Sequence, residues 1–432
     1  MYYRLCFIFL ILTSIITKSN SMNNKITKHI FDNGLILIHK KTEPLPIVEI
    51  ELFINVGSFT ETEKNSGITN LVQTLLLKGT KNRTAEQIAI EIESIGGTIS
   101  SDSDDDYSTI SVSIPSKHFS EAITILSDVL LNPNFPQEEL EKEKKVILAA
   151  IKSREDHIFN VASDTLIKNL YKEHPYSMIN LGNYESIKNI TRNDIINWYN
   201  RYYGTPNIII VVVGNVSFKE TINNIKKRFS TIPKAQNSKV ILKEPELVSN
   251  ETITLKKKFE QSYLMYGYLV PQINNNDYPV LKVLNTYLGS GMSSQLFQEL
   301  REKSGLCYET GSFYPSKKYT SRFIIYLGLD KSKINEAKKK IDSIIDELKL
   351  KKISENKLDE IKNHIKGVYL LDHQRNSRQA WFLGWWEILG KGYKYDEQYL
   401  IDITKVNSED IVKVANKYFN KNHVIVEILP EK

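Results

Sequence analysis

The stretch that decides the fold lies at residues 57–80 and reads GSFTETEKNSGITNLVQTLLLKGT. Its middle part carries amide or hydroxyl side chains at Asn70, Gln73 and Thr74. A glutamine amide has no basic site that takes a proton from water near neutral pH, and asparagine and threonine are weak zinc ligands. These three positions therefore offer neither a hydrolytic base nor a strong metal ligand.

The frame around these positions resembles that of the pitrilysin/insulinase family of zinc peptidases, family M16. In that family a His-x-x-Glu-His motif stands just before a Lys-Gly-Thr, which this chain has at Lys78–Thr80. The resemblance assigns the two histidine positions to Asn70 and Thr74, and the catalytic glutamate position to Gln73. The family's third zinc ligand, a glutamate, lies about 76 residues after the second histidine. That position is Ala150 here, so all four positions have lost their chemistry together.

The loss of four positions removes the metal site by this route. Catalytic zinc needs three protein ligands drawn from histidine, cysteine or carboxylate, with an open position for the water that it activates. We therefore expect this chain to bind no metal and no other cofactor alone. An independent zinc hydrolase with relocated ligands is the least favoured hypothesis, because His157, His364 and His373 have no recognisable metal-binding spacing.

The second half of the chain keeps a motif of another kind. The run from Leu288 to Tyr308 resembles the family's C-terminal signature, in which an arginine and a tyrosine seven residues later hold the substrate. Arg301 and Tyr308 match both residue types and the spacing. An arginine presents several fixed donors to peptide carbonyls, and a tyrosine hydroxyl can donate to a carbonyl oxygen that gains charge in the transition state.

This combination predicts a division of labour between two chains. In two-chain members of the family, one subunit holds the zinc motif and the other lacks it but supplies the Arg/Tyr pair. The resemblance thus implies a catalytically incomplete subunit of a heteromeric zinc peptidase, inactive alone. Its expected partners are an HxxEH-bearing subunit that carries the zinc, in a heterodimer or larger assembly, and an extended peptide substrate. The alternative is a non-enzymatic protein that binds peptides or acts as a scaffold.

Composition argues against a nucleic-acid partner. The 432 residues are 41% hydrophobic and 25% charged, with a net charge of +6, which is typical of a globular chain with two or more domains. Lysine runs are short, as at Lys256–Lys258, and most basic residues are mixed with acids along predicted helices. This pattern indicates a solvated surface.

The N-terminus predicts export. Tyr2–Arg4 forms a short charged start, an apolar run extends from Leu5 to Ile16, and small residues stand at Ser19 and Ser21. This pattern predicts a signal peptide over residues 1–21, cut after Ser21, and a periplasmic protein. The alternative is an uncleaved anchor, which would be the chain's only membrane contact.

An internal repeat indicates domain duplication. The segment Ile187–Ile195 matches Ile403–Ile411 at an offset of 216 residues, and each copy reads as a capped helix that leads into a buried strand. We predict an α+β fold of two homologous α/β domains at residues 22–232 and 251–432, joined by a linker at 233–250. The family resemblance implies that the two domains close like a clam around a chamber.

Periodicity predicts individual elements within both halves. Alternating apolar residues predict strands, and amphipathic runs predict helices. The expected elements include a strand at Ile47–Val56 and helices at Thr84–Ile95, Phe119–Leu131, Tyr278–Leu288 and Ser294–Lys303.

An acidic run departs from the family pattern. Family enzymes carry here a strand that pairs with extended substrate, but residues 100–107 of this chain include Asp102, Asp104, Asp105 and Asp106. We expect a solvated turn, with attraction of basic peptides or calcium as the alternative. Other residues are expected to be structural: a buried Cys307, a turn at His174, and a core or subunit contact at Trp381, Trp385 and Trp386.

Overall fold

The structure is a computed structural model that describes residues 25–43, 45–236 and 242–431. The predicted signal peptide and residues 237–241 of the predicted linker lie outside the described residues. Among the residues described, no helix has both the length and the apolar composition needed to cross a bilayer.

The first half of the chain forms one mixed sheet with helices packed on it. Its strands are β1 (Thr27–Ile30), β2 (Ile36–Lys41), β3 (Ile47–Ile54), β4 (Thr98–Ser103), β5 (Ser108–Pro115) and β6 (Ile208–Gly214). Its helices are α1 (Ile68–Leu76), α2 (Ala85–Ser94), α3 (Phe119–Leu131), α4 (Gln137–Arg154), α5 (Ile158–Tyr171), α6 (Tyr184–Asn189), α7 (Arg192–Tyr202) and α8 (Phe218–Phe229). The strand order is β1-β2-β6-β3-β5-β4, and only β2 and β6 run parallel.

The second half repeats this plan. Its strands are β7 (Glu251–Lys257), β8 (Ser262–Val270), β9 (Cys307–Phe313), β10 (Ser321–Leu329) and β11 (His423–Pro430). Its helices are α9 (Tyr278–Gly289), α10 (Ile334–Leu350), α11 (Glu355–Asp372), α12 (Asn376–Ile388), α13 (Tyr395–Lys405) and α14 (Ser408–Phe419). The order β7-β11-β8-β10-β9, again with one parallel pair, reproduces the order from β2 to β4 in the first sheet. The predicted α+β class and duplication are confirmed.

Most predicted elements agree with the structure, and one differs in kind. The helix expected at Ser294–Lys303 becomes a wider π-helix over Phe297–Lys303. Leu296 and Leu300 remain buried on its inner side, whereas Arg301 is exposed. Hydrophobic periodicity reports the buried side of such a segment but does not distinguish a π-helix from an α-helix.

The two halves exchange one helix each. Helix α5 of the first half packs against β8 and β11, and α12 of the second half packs against β3 and β6. The approach of α12 is close, because a Cβ atom added at Gly384 would lie 2.1 Å from the Phe53 ring. Trp386 on this helix is fully buried, and Trp381 and Trp385 stack beside it. The tryptophans therefore belong to the core that joins the halves. The chamber that the resemblance implied stays an expectation.

The acidic run also joins the halves, which corrects the prediction of a solvated turn. Lys317 is buried and its Nζ lies 2.9 Å from Asp104 Oδ1 and 2.6 Å from Asp105 Oδ2. Asp106 is buried as well and accepts hydrogen bonds from the Tyr176 hydroxyl and the Lys318 backbone N–H. Burial alone would raise the pKa of Asp105, but the positive charges of Lys317 and Arg322 and the hydrogen bonds from Lys317 and Ser58 together outweigh burial and lower it.

The buried carboxyl group of Glu51 makes the stability of the fold depend on pH. Glu51 on β3 lies on the face that α12 covers, and burial raises its pKa to about 8 even though the Ser111 hydroxyl donates to it at 2.6 Å. An ordinary glutamate has a pKa near 4.5. Between these two pH values the folded state holds a proton that the unfolded state has lost. The contribution of protonated Glu51 to the free energy of unfolding is therefore full below about pH 4.5. It falls as the pH rises and is lost once the pH passes about 8.

We expect Glu51→Gln to remove this pH dependence. At pH 8.5 the variant should gain free energy of unfolding on the order of 2 kcal/mol, and at pH 4.5 it should match the parent chain. Urea unfolding at both pH values measures the difference, with the exposed Glu93→Gln as the matched control. A Glu51→Gln chain that is less stable than the parent at pH 8.5 would contradict this account.

Candidate functional site

Helix α1 carries the first candidate site, and a buried carboxylate fixes its start. Gly67 precedes the helix with a φ of +87°, a conformation that favours glycine. The Glu61 carboxylate accepts hydrogen bonds from the backbone N–H groups of Gly67 (2.8 Å) and Thr69 (2.9 Å). Burial raises the pKa of Glu61 to about 7, and in its ionised form the group complements the helix dipole. Glu61 therefore positions α1 and is not free to act on a ligand.

Asn70 and Thr74 lie one turn apart on α1 and contact each other. The Thr74 hydroxyl donates to Asn70 Oδ1 at 3.3 Å, and both side chains are half-buried. The Thr74 hydroxyl thus engages Oδ1, the one side-chain oxygen of Asn70 that could bind a cation. This pair does not provide the two nitrogen ligands that a zinc centre would take from these positions.

Gln73 is locked into the packing of the first half. Its side chain is buried, its Nε2 donates to the Thr109 carbonyl at 2.5 Å, and its Oε1 accepts from the Tyr203 hydroxyl at 2.9 Å. Both ends of the amide are therefore used, and the donor end is one that a carboxylate could not reproduce. An amide at this position now has a structural role.

Ala150 lies on α4, which packs against α1. The two helices that hold the motif positions thus pack together, but the Ala150 methyl group offers no donor atom to a metal. The donor set of Asn70, Thr74 and Ala150 does not fit zinc. Within residues 25–43, 45–236 and 242–431, no group of three or more histidine, cysteine or acidic side chains is arranged to hold a metal ion.

We expect Gln73→Glu to destabilise the chain without creating a catalytic site. A carboxylate would bring an acceptor against the Thr109 carbonyl inside the core, and the free energy of unfolding should fall by about 1–3 kcal/mol at pH 7. Chemical denaturation measures the loss, and the half-buried Thr74→Ser is a control that keeps its hydroxyl. Unchanged stability in Gln73→Glu would mean that the amide is not structural.

Arg301 lies at the surface of the second half. It belongs to the π-helix, and its guanidinium carbon lies 4.9 Å from the centre of the Phe297 ring. Buried Leu300 anchors the segment, and the Gly305 N–H donates to the Arg301 carbonyl where the chain turns toward β9. The backbone is thus held while the guanidinium stays exposed to solvent.

A bulge in β9 determines where Tyr308 lies. Gly328 of β10 pairs with Glu309, but the next residue, Leu329, pairs with Cys307, so Tyr308 is an extra residue in the strand. Its ring lies over Gly328, where an added Cβ would come within 2.7 Å of it. Bulges often redirect a side chain next to a functional site. Here the bulge leaves the Tyr308 side chain 42% exposed.

The Tyr308 hydroxyl is available as a donor. It donates to Gln261 Oε1 at 2.5 Å, an exposed hydrogen bond that a ligand can replace. Burial, and then the nearby Glu309 carboxylate, raise the pKa of Tyr308. The hydroxyl therefore keeps its proton at neutral pH.

The predicted residues lie in two separate parts of the structure. Asn70, Gln73 and Thr74 share α1, and α4 with Ala150 packs beside them. Arg301 flanks the turn that leads into β9, which packs against β10, α9 and the π-helix. Sequence reasoning missed Gln261, because it is distant in sequence from Tyr308, and it missed Glu309, although Glu309 directly follows Tyr308.

Two further predictions concerned structural residues. Cys307 is buried, and burial raises the pKa of its thiol to about 11, so it is not a nucleophile. His174 is buried and its Nδ1 accepts the backbone N–H of Tyr176 at 3.1 Å, which caps a short turn. Both therefore serve the fold, as predicted.

Comparison with protein families accounts for both halves of the chain. The family model described as "Insulinase (Peptidase family M16)" matches residues 36–182, and the one described as "Peptidase M16 inactive domain" matches residues 189–365. The chain belongs to peptidase family M16. Both models match in the order that the duplication predicts, and the M16 match to the first half includes the dismantled motif on α1.

M16 relatives match this chain over nearly its whole length. It is 27% identical over 405 residues to the "uncharacterized zinc protease" YmxG of Bacillus subtilis, covering 94% of this chain and 98% of that one. It is 25% identical over 396 residues to the "zinc protease" PqqE of Helicobacter pylori, covering 90% and 88%.

Solved structures confirm the M16 fold. A protease from Helicobacter pylori superimposes with a TM-score of 0.89 at 24% identity, covering 94% of this chain and all of that one. A "peptidase M16 inactive domain" structure from Pseudomonas fluorescens gives 0.87 at 21% identity, covering 94% and 98%. At these sequence identities the similarity shows a shared fold.

Proposed function

We propose that this chain is the zinc-free subunit of a two-chain M16 peptidase. It pairs with an M16 chain that carries the HxxEH motif, and the partner's zinc centre hydrolyses the peptide. Arg301 and Tyr308 hold that peptide from this side. The N-terminal 21 residues favour export, so the assembly would work in the periplasm.

A contrast within the chain carries the proposal. On α1 and α4 the four positions of the motif hold Asn70, Gln73, Thr74 and Ala150, and the Gln73 amide has both ends engaged in the core. The Tyr308 ring, in the other half, is displaced by a bulge and is 42% exposed. Loss of the metal-site residues together with retention of an exposed Arg301 and Tyr308 supports a role in holding a peptide at another chain's zinc centre.

The chemistry of the retained pair suits a holding role. An exposed guanidinium can donate two parallel hydrogen bonds to carbonyl oxygens of an extended peptide. A protonated tyrosine hydroxyl can donate to the carbonyl oxygen on which charge develops during hydrolysis. Neither group needs a metal in its own chain, so both can act on a peptide bound at a partner's zinc centre.

Purification from the native cells tests the proposal. The tagged mature chain should co-purify with an HxxEH-bearing M16 chain, and the eluate should hold about one zinc ion per pair and cleave peptides. The tagged chain separated from its partner should hold no stoichiometric zinc and show no activity. Stoichiometric zinc or peptidase activity in the separated chain would overturn the proposal.

The second candidate function is peptide binding without cleavage. It is favoured by the same exposed Arg301 and Tyr308 if no zinc-bearing chain joins them. In that case, the tagged chain would be recovered without an M16 partner, and it would bind extended peptides that it leaves intact.

A further inference from the structure

A cavity in the second half lies between helices α9, α11, α12 and α13. Its volume is about 270 Å³. Helices α9 and α11 pack together there as α1 and α4 do in the first half, and Val368 on its wall has the place in α11 that Ala150 has in α4. We call this cavity the α9–α11 pocket. It occupies the place in the second half that corresponds to the lost metal site in the first.

The walls of the pocket are mostly aromatic. Tyr369 and Trp385 are half-buried on its walls, and the rings of Tyr369 and Tyr399 pack 4.9 Å apart. Ile365 adds aliphatic surface, as does Val368, which is 53% exposed where the pocket meets solvent. At about 30 Å³ for each water molecule of the liquid, the volume suits a compact ligand of about ten non-hydrogen atoms. Such walls favour an apolar or aromatic body.

One cation stands in the wall without a counter-ion. Lys282 is half-buried, and its Nζ donates to the Tyr314 carbonyl at 3.0 Å and lies 5.4 Å from the centre of the Tyr278 ring. Among the described residues that line the pocket, Asp372 is the one acid, and Arg378 donates to both of its oxygens at 2.8 Å. An ammonium group has three N–H donors, so Lys282 retains donors for an anionic ligand.

This lysine is costly to the fold alone. Burial lowers the pKa of Lys282 to about 8, and no neighbouring carboxylate acts to raise it. The ammonium form still dominates at neutral pH. Removing a charge from water without a counter-charge opposes folding, and such a group in a cleft marks a candidate ligand site. A bound anion would supply the missing counter-charge.

We propose that the α9–α11 pocket binds a carboxylate ligand, with the Lys282 ammonium paired to the carboxylate and the aromatic walls around an apolar or aromatic body. The inference does not depend on the proposed function, because neither Arg301 nor Tyr308 lines the pocket. A small free acid and the C-terminus of an apolar peptide share this chemistry, and the experiment separates the two sources.

Pairs of ligands that differ by one charge test the site. The first pair is phenylpropionate and its neutral amide, and the second is N-acetyl-glycyl-phenylalanine and its C-terminal amide. Isothermal titration calorimetry at pH 7 gives their affinities for the full mature chain. We expect the acid of at least one pair to bind about tenfold more tightly than its amide. A preference in the first pair assigns the pocket to free acids, and a preference in the second pair alone assigns it to peptide C-termini.

The variants locate the effect. Lys282→Met should abolish the preference and leave the chain folded, because methionine fills a similar volume and removes an unpaired charge. Lys282→Gln keeps a donor for the Tyr314 carbonyl and should abolish the preference as well. Lys366→Met removes an exposed lysine from α11 and should preserve it. Equal binding of acids and amides, binding of none of them, or a preference that survives either Lys282 variant would overturn the carboxylate site and leave the proposed function standing.

Discussion

The paired substitution Arg301→Ala and Tyr308→Phe should lower the kcat/KM of the assembled peptidase by about 10²–10³, since removal of one donor to a developing oxyanion typically costs that much. Both groups are exposed, and each is held by its own backbone setting, a π-helix for Arg301 and a β-bulge for Tyr308. The substitutions should therefore leave folding and assembly intact. Peptidase assays on the reconstituted complex measure the loss.

A matched pair of exposed residues provides the control. Arg375→Ala and Tyr184→Phe remove the same chemical groups elsewhere on the surface, and kcat/KM should stay within about twofold of the parent value. The single variant Tyr308→Phe should lower kcat more than it raises KM, because a donor to the transition state acts on the chemical step. An unchanged kcat/KM in the Arg301/Tyr308 double variant would refute the holding role.

The substitution Lys317→Met should cause the largest loss of stability, about 3–5 kcal/mol in the free energy of unfolding. Burial acts to lower the pKa of Lys317, but the carboxylates of Asp105 and Asp104 raise it, so the ammonium is charged at neutral pH. Methionine fills a similar volume but removes the cation that pairs directly with these acids, and leaves Arg322 as the remaining positive charge near them. The joint between the halves should then weaken. Urea or guanidinium unfolding at pH 7 measures the effect.

Two further variants identify the cause. Lys331→Met removes an exposed lysine from the same half and should change stability by less than about 0.5 kcal/mol. Adding Asp105→Asn to Lys317→Met removes the charge of the more buried of the two acids, and part of the lost stability should return. A loss below about 1 kcal/mol in Lys317→Met would show that the acidic run does not join the halves through this lysine.

Much of the fold could be predicted from the sequence because local patterns and packing agree. The helix Phe119–Leu131 has the predicted bounds, since its apolar stripe and the Asn132-Pro133 stop both act locally. The repeat at Ile187 and Ile403 predicted the duplication, because equivalent capped helices need equivalent sheets to pack on. The exchange of α5 and α12 could not be predicted in this way, since it depends on contacts between distant halves.

The candidate site could also be predicted only in part from the sequence. Loss of metal chemistry at Asn70, Gln73 and Thr74 can be read from residue types alone. The new role of the Gln73 amide cannot, because its partners Thr109 and Tyr203 are distant in sequence. The acidic run was wrongly predicted to be solvated for a similar reason. Its counter-ion comes from the other half, and charge runs are usually exposed when no partner is near in sequence.

The most direct test of the central claim is a titration of peptidase activity. A fixed amount of the zinc-bearing partner is mixed with increasing amounts of this chain, and cleavage of an extended fluorogenic peptide is followed. We predict no activity from either chain alone and a rise that saturates at one copy of this chain per partner. Full activity of the partner alone, with no change when this chain is added, would contradict the claim that the two chains share one active site.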